Sequence, residues 1–279
     1  MNLDAEITRN VDAALAEDVG NGDLTAALTP DQPGTARVIC RQPAVICGIP
    51  WFYACVRRLD ADAAIDWQVR EGDFVAAGTT LCVIRGRSRA LLTAERCALN
   101  FLQLLSSVAT VTRQYVDAVK GTRAAILDTR KTLPGLRVAQ KYAVTTGGGQ
   151  NHRMGLWDAI LIKENHIAAA GGITAALQAA QSLAASASFI QVEVETLEQL
   201  REAIQAGATM VLLDNMSLEQ MQDAVRWTAG RAQLEASGGI TLANVRAIAE
   251  TGVDRISIGA LTKDIAAVDL SMRFDEFVG

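Results

Sequence analysis

The chain has 279 residues, half of them hydrophobic and 5% aromatic, with 31 acidic against 26 basic side chains and a formal net charge of −5. That length suits one large α/β domain or two smaller ones, and the composition favours a helix-rich α/β protein over a disordered or all-β chain. The acidic balance excludes a general nucleic-acid binder, and no window approaches the roughly 18 uncharged apolar residues of a membrane span.

The N-terminal stretch MNLDAEITRNVDAALAEDVG carries several acids and no apolar core, unlike a secretory leader, so a cytoplasmic location is expected. Turn signals then crowd EDVGNGDLTAALTP and REGDFVAAGTTLCVIRGRSRALL, with Gly72-Asp73 and Gly78 between short β-branched runs, as in hairpins. Similar hairpins carry lipoyl or biotinyl groups, but those need an acceptor lysine and the first lysine here is Lys120. Five cysteines (Cys40, Cys47, Cys55, Cys82, Cys97) show no C-x-x-C spacing, and both histidines lie elsewhere, so reduced, packed thiols are expected rather than zinc. Residues 94–119 carry apolar side chains at helical spacing.

From about residue 122 the pattern changes. Short apolar runs at 124–129, 158–163, 189–195, 209–215, 233–238 and 255–260 alternate with helix-like segments. Thr196-Leu-Glu-Gln199 and Ser217-Leu-Glu-Gln220 fit capping boxes, and Gly207, Gly230 and Gly252 fall where left-handed helix ends are expected. Alternation of this length predicts a parallel sheet or barrel. Some 160 residues are too few for the roughly 250 of an eight-fold barrel, so the expected fold is α/β, an incomplete (open) β/α barrel of six or seven strands over 111–266. An N-terminal α+β domain over 1–110 sits beside it, with the tail 267–279 expected to pack with that domain.

Each apolar run ends in a reactive or phosphate-friendly group, and a barrel gathers such ends at one mouth. The segment 128–166 concentrates Arg130, Lys131, Arg137, Lys141, Arg153 and Lys163 with His152 and His166, a basic cluster on an acidic protein that calls for an anionic small partner. The glycines 147–149 run directly into Gln150, Asn151, His152 and Arg153, suggesting a loop that approaches a ligand, whereas His166 reads as structural or supporting. In 189–195, Gln191, Glu193 and Glu195 share one face by period two, and such a row needs cations nearby. Glu195 and Asp214 end adjacent runs, where they would share a hard cation such as Mg²⁺. Ser237-Gly238-Gly239 and Ile258-Gly259-Ala260 close the last two runs and suit a phosphate.

These blocks together resemble the quinolinate phosphoribosyltransferase family: EDVGNGDLT, LLTAERCALNFLQLLS, DTRKTLPGLR, KYAVTTGGGQNHRMGLWDAILIKENHI, VEVET, LLDNM, EASGGI and ISIGALT follow in order along nearly the whole chain. Ser107 departs from the usual glycine there, a matter of packing more than chemistry. The resemblance implies transfer from phosphoribosyl pyrophosphate to quinolinate with decarboxylation and Mg²⁺. It assigns Arg130, His152, Arg153 and Lys163 to the quinolinate pocket, with Thr129 beside them, and Lys131, Glu195 and Asp214 to phosphoribosyl pyrophosphate and its ion. The two glycine loops take the 5′-phosphate, and Arg96 reaches the neighbouring subunit's site of a homodimer or larger homo-oligomer. Rival readings are a Schiff-base lyase built on Lys163, a family paralogue associated with molybdenum transport, and a sensor of pyridine carboxylates without turnover.

Overall fold

A computed structural model describes residues 2–275. In chain order the elements are α1 (Leu3–Val19), β1 (Pro33–Cys40), β2 (Ala44–Val45), α2 (Ile49–Leu59), β3 (Ala64–Trp67), β4 (Phe74–Val75), β5 (Thr80–Arg87), α3 (Ser88–Ala118), β6 (Ala125–Leu127) and α4 (Arg137–Thr146). There follow β7 (Ile160–Ile162), α5 (Glu164–Ala170), α6 (Ile173–Gln181), β8 (Ile190–Val194), α7 (Leu197–Gln205), β9 (Met210–Asp214), α8 (Leu218–Thr228), β10 (Gln233–Ser237), α9 (Val245–Glu250), β11 (Arg255–Ser257), α10 (Ala260–Lys263) and β12 (Leu270–Phe274). Among the described residues, no helix is long and apolar enough to cross a membrane.

Two compact units emerge: residues 2–113, 133–148 and 262–275 form one, and 114–132 with 149–261 the other. The first holds a four-stranded sheet in the order β12-β1-β5-β3, antiparallel throughout, and the small ladder β2-β4. Strand β12 places residues 270–274 in this unit; the last four residues of the expected tail lie outside the described residues. Long apolar side chains at helical spacing on α3, among them Leu91, Leu99, Leu102 and Leu105, are fully buried, and the helix begins at Ser88, earlier than its apolar period signals. Trp51 of α2 is buried with its indole N–H donating to Asn10 Oδ1 at 3.0 Å. The segment 133–148 joins this unit because α4 buries Ala139, Ala143 and Val144 and its Gln140 amide donates to the Thr262 carbonyl at 2.8 Å. All five cysteines are free, buried and in this unit, and burial pushes the Cys55 and Cys82 thiols up to about 12.

The second unit is a six-stranded parallel sheet in the order β6-β11-β10-β9-β8-β7, so all six apolar runs become strands. Strands β6 and β7 are its two edges, which leaves the barrel open. Strand interiors are filled by Val192, Val194, Val211, Leu213, Ala236 and Ile256, each at most 2% exposed. Thr196 and Ser217 cap α7 and α8 through the expected boxes, each hydroxyl accepting from the backbone N–H of Gln199 or Gln220 at 3.2 Å. Gly207, Gly230 and Gly252 all take positive φ after their helices.

Candidate active site

Parallel pairing sends the C-terminal ends of all six strands to one side of the sheet. There Thr129, Arg130 and Lys131 after β6, His152 and Arg153 after the loop 147–151, Lys163 after β7 and Ser237 ending β10 line a cavity of about 240 Å³. Leu161, Glu193, Leu212, Glu235 and Ser257 complete its wall, each from a different strand.

The basic groups are held by different means. Lys163 Nζ donates to Glu193 Oε2 at 2.6 Å across the β7–β8 pair, the continuation of a register that aligns Ile162 with Val192. Arg153 is only 9% exposed, and its Nη1 donates to the Ala159 carbonyl at 3.0 Å. Burial holds the Arg153 guanidinium below its ordinary pKa, and the charge of Arg130 adds to the effect. An anion between these two arginines relieves both costs. The buried Asp128 carboxylate accepts the backbone N–H of His152 at 2.9 Å and so ties the end of β6 to the loop carrying both His152 and Arg153. His166 is engaged elsewhere, where its Nδ1 accepts the Lys163 backbone N–H at 3.0 Å and caps α5.

Through the cavity wall runs a polar chain. His152 Nε2 lies 3.0 Å from Gln191 Oε1, the Gln191 amide donates to Glu235 Oε2 at 3.1 Å, and Arg255 Nε stands 3.3 Å from the same carboxylate. Gln191 and Glu235 are almost wholly buried. The period-two row already placed Gln191 and Glu193 on one face with Glu195; nothing in the run QLEASG singled out Glu235.

The remaining expected residues lie outside the cavity wall. Glu195 follows β8 and is exposed, and Asp214 ends β9, one step beyond the paired Val194 and Leu213. Asn215, at φ +53, donates its side-chain amide to Asp214 Oδ2 at 2.8 Å and its backbone N–H to the Ser237 carbonyl at 2.9 Å. Gly238 and Gly239 turn the chain away from β10 with φ of +99° and +59°. Ile258 is buried and donates its backbone N–H to the Leu127 carbonyl at 2.9 Å, Gly259 follows it, and Ala260 opens α10. Arg96 projects from α3 of the first unit with a side chain 58% exposed. The basic cluster of the sequence is divided: Arg137 and the fully buried Lys141 sit on α4 of the first unit and do not line the cavity.

Among the described residues no three acidic, histidine or cysteine side chains converge as a ready metal cage. Two hard oxygen donors, Glu195 and Asp214, at neighbouring strand ends fit an ion such as Mg²⁺ that keeps water and phosphate ligands.

Comparison with known proteins agrees with this architecture. The family model described as quinolinate phosphoribosyl transferase, C-terminal domain, matches residues 108–273, and that of the N-terminal domain matches 23–106. The probable nicotinate-nucleotide pyrophosphorylase [carboxylating] of Bacillus subtilis is 41% identical over 92% of this chain and 89% of its own length. A protein of the same description from Synechocystis is 43% identical over 93% of this chain and 89% of its own. The solved nicotinate-nucleotide pyrophosphorylase from Francisella tularensis superposes with a TM-score of 0.95 at 45% identity, covering 98% of this chain and 97% of that one.

Proposed function

The chain belongs to the quinolinate phosphoribosyltransferase family, and we propose that the cavity at the strand ends of its second unit receives quinolinate. The activity is transfer of the phosphoribosyl group from phosphoribosyl pyrophosphate to quinolinate with decarboxylation, giving nicotinate mononucleotide, pyrophosphate and CO₂ in NAD biosynthesis. The observation that carries the site assignment is the meeting of Arg130, Lys131, Arg153 and Lys163 around one cavity in a protein of net charge −5.

Quinolinate is a dianion, and guanidinium forks recognise planar carboxylates through paired hydrogen bonds. Arg130 and Arg153 thus orient the ring and bring its nitrogen to the anomeric carbon, with Lys163 as a third charge on the same ligand. Lys131 faces the phosphoribosyl half. Glu195 and Asp214 are the residues that would hold Mg²⁺, whose chemistry here is to neutralise the departing pyrophosphate. The same two carboxylates stand near the oxocarbenium charge that develops as the glycosidic bond breaks. Backbone amides of the loops Ser237–Gly239 and Ile258–Ala260 hold the 5′-phosphate. Once ribosylated, the ring nitrogen is positive and stabilises the carbanion left by the departing carboxylate, so the decarboxylation requires no organic cofactor.

We further infer a cytoplasmic homodimer in which Arg96 of one subunit completes the site of the other. Five free thiols, all buried, suit a reducing compartment. Arg96 is an exposed arginine on a long helix, and its nearest acidic partner among the described residues is Glu95 at 4.0 Å, which suits a role outside its own unit. The test is to mix protein, Mg²⁺, phosphoribosyl pyrophosphate and either quinolinate or nicotinate, and to follow pyrophosphate and CO₂. Release with quinolinate alone supports the assignment; none with quinolinate overturns it. Borohydride should trap no adduct on Lys163, whose ion pair with Glu193 suits a charge-bearing lysine rather than a nucleophile.

A further inference from the structure

Both ring nitrogens of His152 are occupied by the protein itself. Nδ1 accepts the Arg153 backbone N–H at 2.8 Å, so it carries no hydrogen. Nε2 sits 3.0 Å from Gln191 Oε1, and an amide oxygen only accepts, so Nε2 carries the hydrogen. The orientation of the Gln191 amide is set at its other end, where its nitrogen donates to Glu235 Oε2 at 3.1 Å and a carboxylate leaves no alternative. The chain of hydrogen bonds therefore has one direction, from the Arg153 amide through the imidazole and the glutamine to the carboxylate.

Glu235 is fully buried, and a buried carboxylate beside a histidine commonly makes an imidazolium. Two features argue against that here. Arg255 Nε, at 3.3 Å from Glu235 Oε2, already supplies the matching positive charge, and a second ring hydrogen on Nδ1 would point at the Arg153 N–H only 2.8 Å away. The His152 Nε2 to Glu235 Oε1 distance of 3.5 Å is longer than the bond to Gln191. Phe189 holds the arrangement laterally: its ring packs edge-on to the imidazole at 5.4 Å, and the Arg255 guanidinium lies 5.8 Å from its centre.

We propose that Gln191 and Glu235 are positioning residues that lock His152 as the neutral Nε2–H tautomer, so that the ring props the Arg153 backbone in place instead of giving a proton to the substrate. This rests on reading the cavity as the quinolinate pocket. Arg153 is the link: its main-chain N–H is fixed by His152 and its side chain by the Ala159 carbonyl, so the guanidinium is preorganised from both ends. Freeing the imidazole loosens one end, and misplacing an anion clamp by an ångström costs on the order of a hundredfold.

The protein has only two histidines, so a ¹⁵N-histidine-labelled sample gives a spectrum with two imidazoles, assigned by His166→Gln. The neutral Nε2–H pattern for His152 at neutral pH, with and without quinolinate, is the expected result; an imidazolium or an Nδ1–H ring overturns the proposal, whatever any variant does. In kinetics, Gln191→Met should raise the quinolinate KM at least tenfold while moving the phosphoribosyl pyrophosphate KM less than twofold. Equal changes in both, or neither, also overturn it. If the wild type turns over no quinolinate at all, the pocket assignment fails, and the tautomer spectrum still decides the lock.

Discussion

Lys163 Nζ rests 2.6 Å from Glu193 Oε2, a contact between the end of β7 and the interior face of β8. The lysine side chain is 46% exposed, and an ion pair so open to water contributes at most about 1 kcal/mol to folding. Its value lies in aiming the ammonium into the cavity. Lys163→Met should therefore leave the melting temperature within about 2 °C of wild type yet lower kcat/KM for quinolinate by about a hundredfold, the weight of one charge-assisted contact to a carboxylate. Glu193→Gln keeps a partner for the ammonium and should lose less than tenfold. Equal losses from the two variants, measured by initial rates, would show that the carboxylate matters as much as the ammonium and would overturn this ranking.

Gly238 and Gly239 look alike in sequence and differ sharply in space. A Cβ on Gly238 would collide with Asn215 Oδ1, at a φ of +99°, whereas one on Gly239 would meet nothing within 4 Å at φ +59°. Gly238→Ala must push Asn215 away, and with it the amide that donates to Asp214. We expect a loss of about 2–4 kcal/mol in unfolding free energy and a raised KM for phosphoribosyl pyrophosphate. Gly239→Ala should cost only about 1–2 kcal/mol of left-handed strain. Urea unfolding of the two variants side by side checks the order.

A second carboxylate sets a pH dependence. Glu71 accepts the backbone N–H of Gly48 at 2.8 Å at the start of α2, and burial pushes its pKa up more than its hydrogen bonds lower it. A carboxyl with a folded pKa above its unfolded value favours the folded state fully below the unfolded pKa, and that contribution is lost as pH rises through the folded pKa. Glu71→Gln keeps an amide oxygen for the same N–H but does not titrate. Its stability relative to wild type should then improve as pH rises from mildly acidic toward neutral. A difference that stays flat across urea titrations at several pH values would refute this.

The elements were legible because their signals are local: the apolar runs, the Thr196 and Ser217 boxes and the glycines after the helices each depend on a handful of neighbouring residues. Which member of the row Gln191, Glu193, Glu195 meets Lys163 was not legible, because it depends on the β7–β8 register, and one residue of slip would turn the whole row to the other face. Glu235 was hidden for a related reason. Its carboxylate is tolerable inside the sheet only because Gln191 and Arg255 arrive from strands distant in sequence. The basic count over 128–166 misled in one respect, since Arg137 and Lys141 belong to a helix of the first unit.

Arg96 and Arg130 together offer a quantitative test of sharing between subunits. With both arginines serving the quinolinate pocket as proposed, Arg96→Ala and Arg130→Ala should each be nearly inactive alone. If Arg96 acts across a two-fold dimer, a subunit carrying Arg130→Ala still lends its Arg96 to a partner whose own Arg130 is intact. An exchanged equal mixture then contains mixed dimers as half of its population, each with one complete site and one site lacking both arginines. Activity should recover to about a quarter of wild type, and a brief denaturing and refolding step should speed its appearance. If Arg96 serves the site of its own chain, every site in the mixture lacks one arginine and no recovery occurs. Initial rates before and after exchange, with subunit mixing verified by native mass spectrometry, separate the two outcomes.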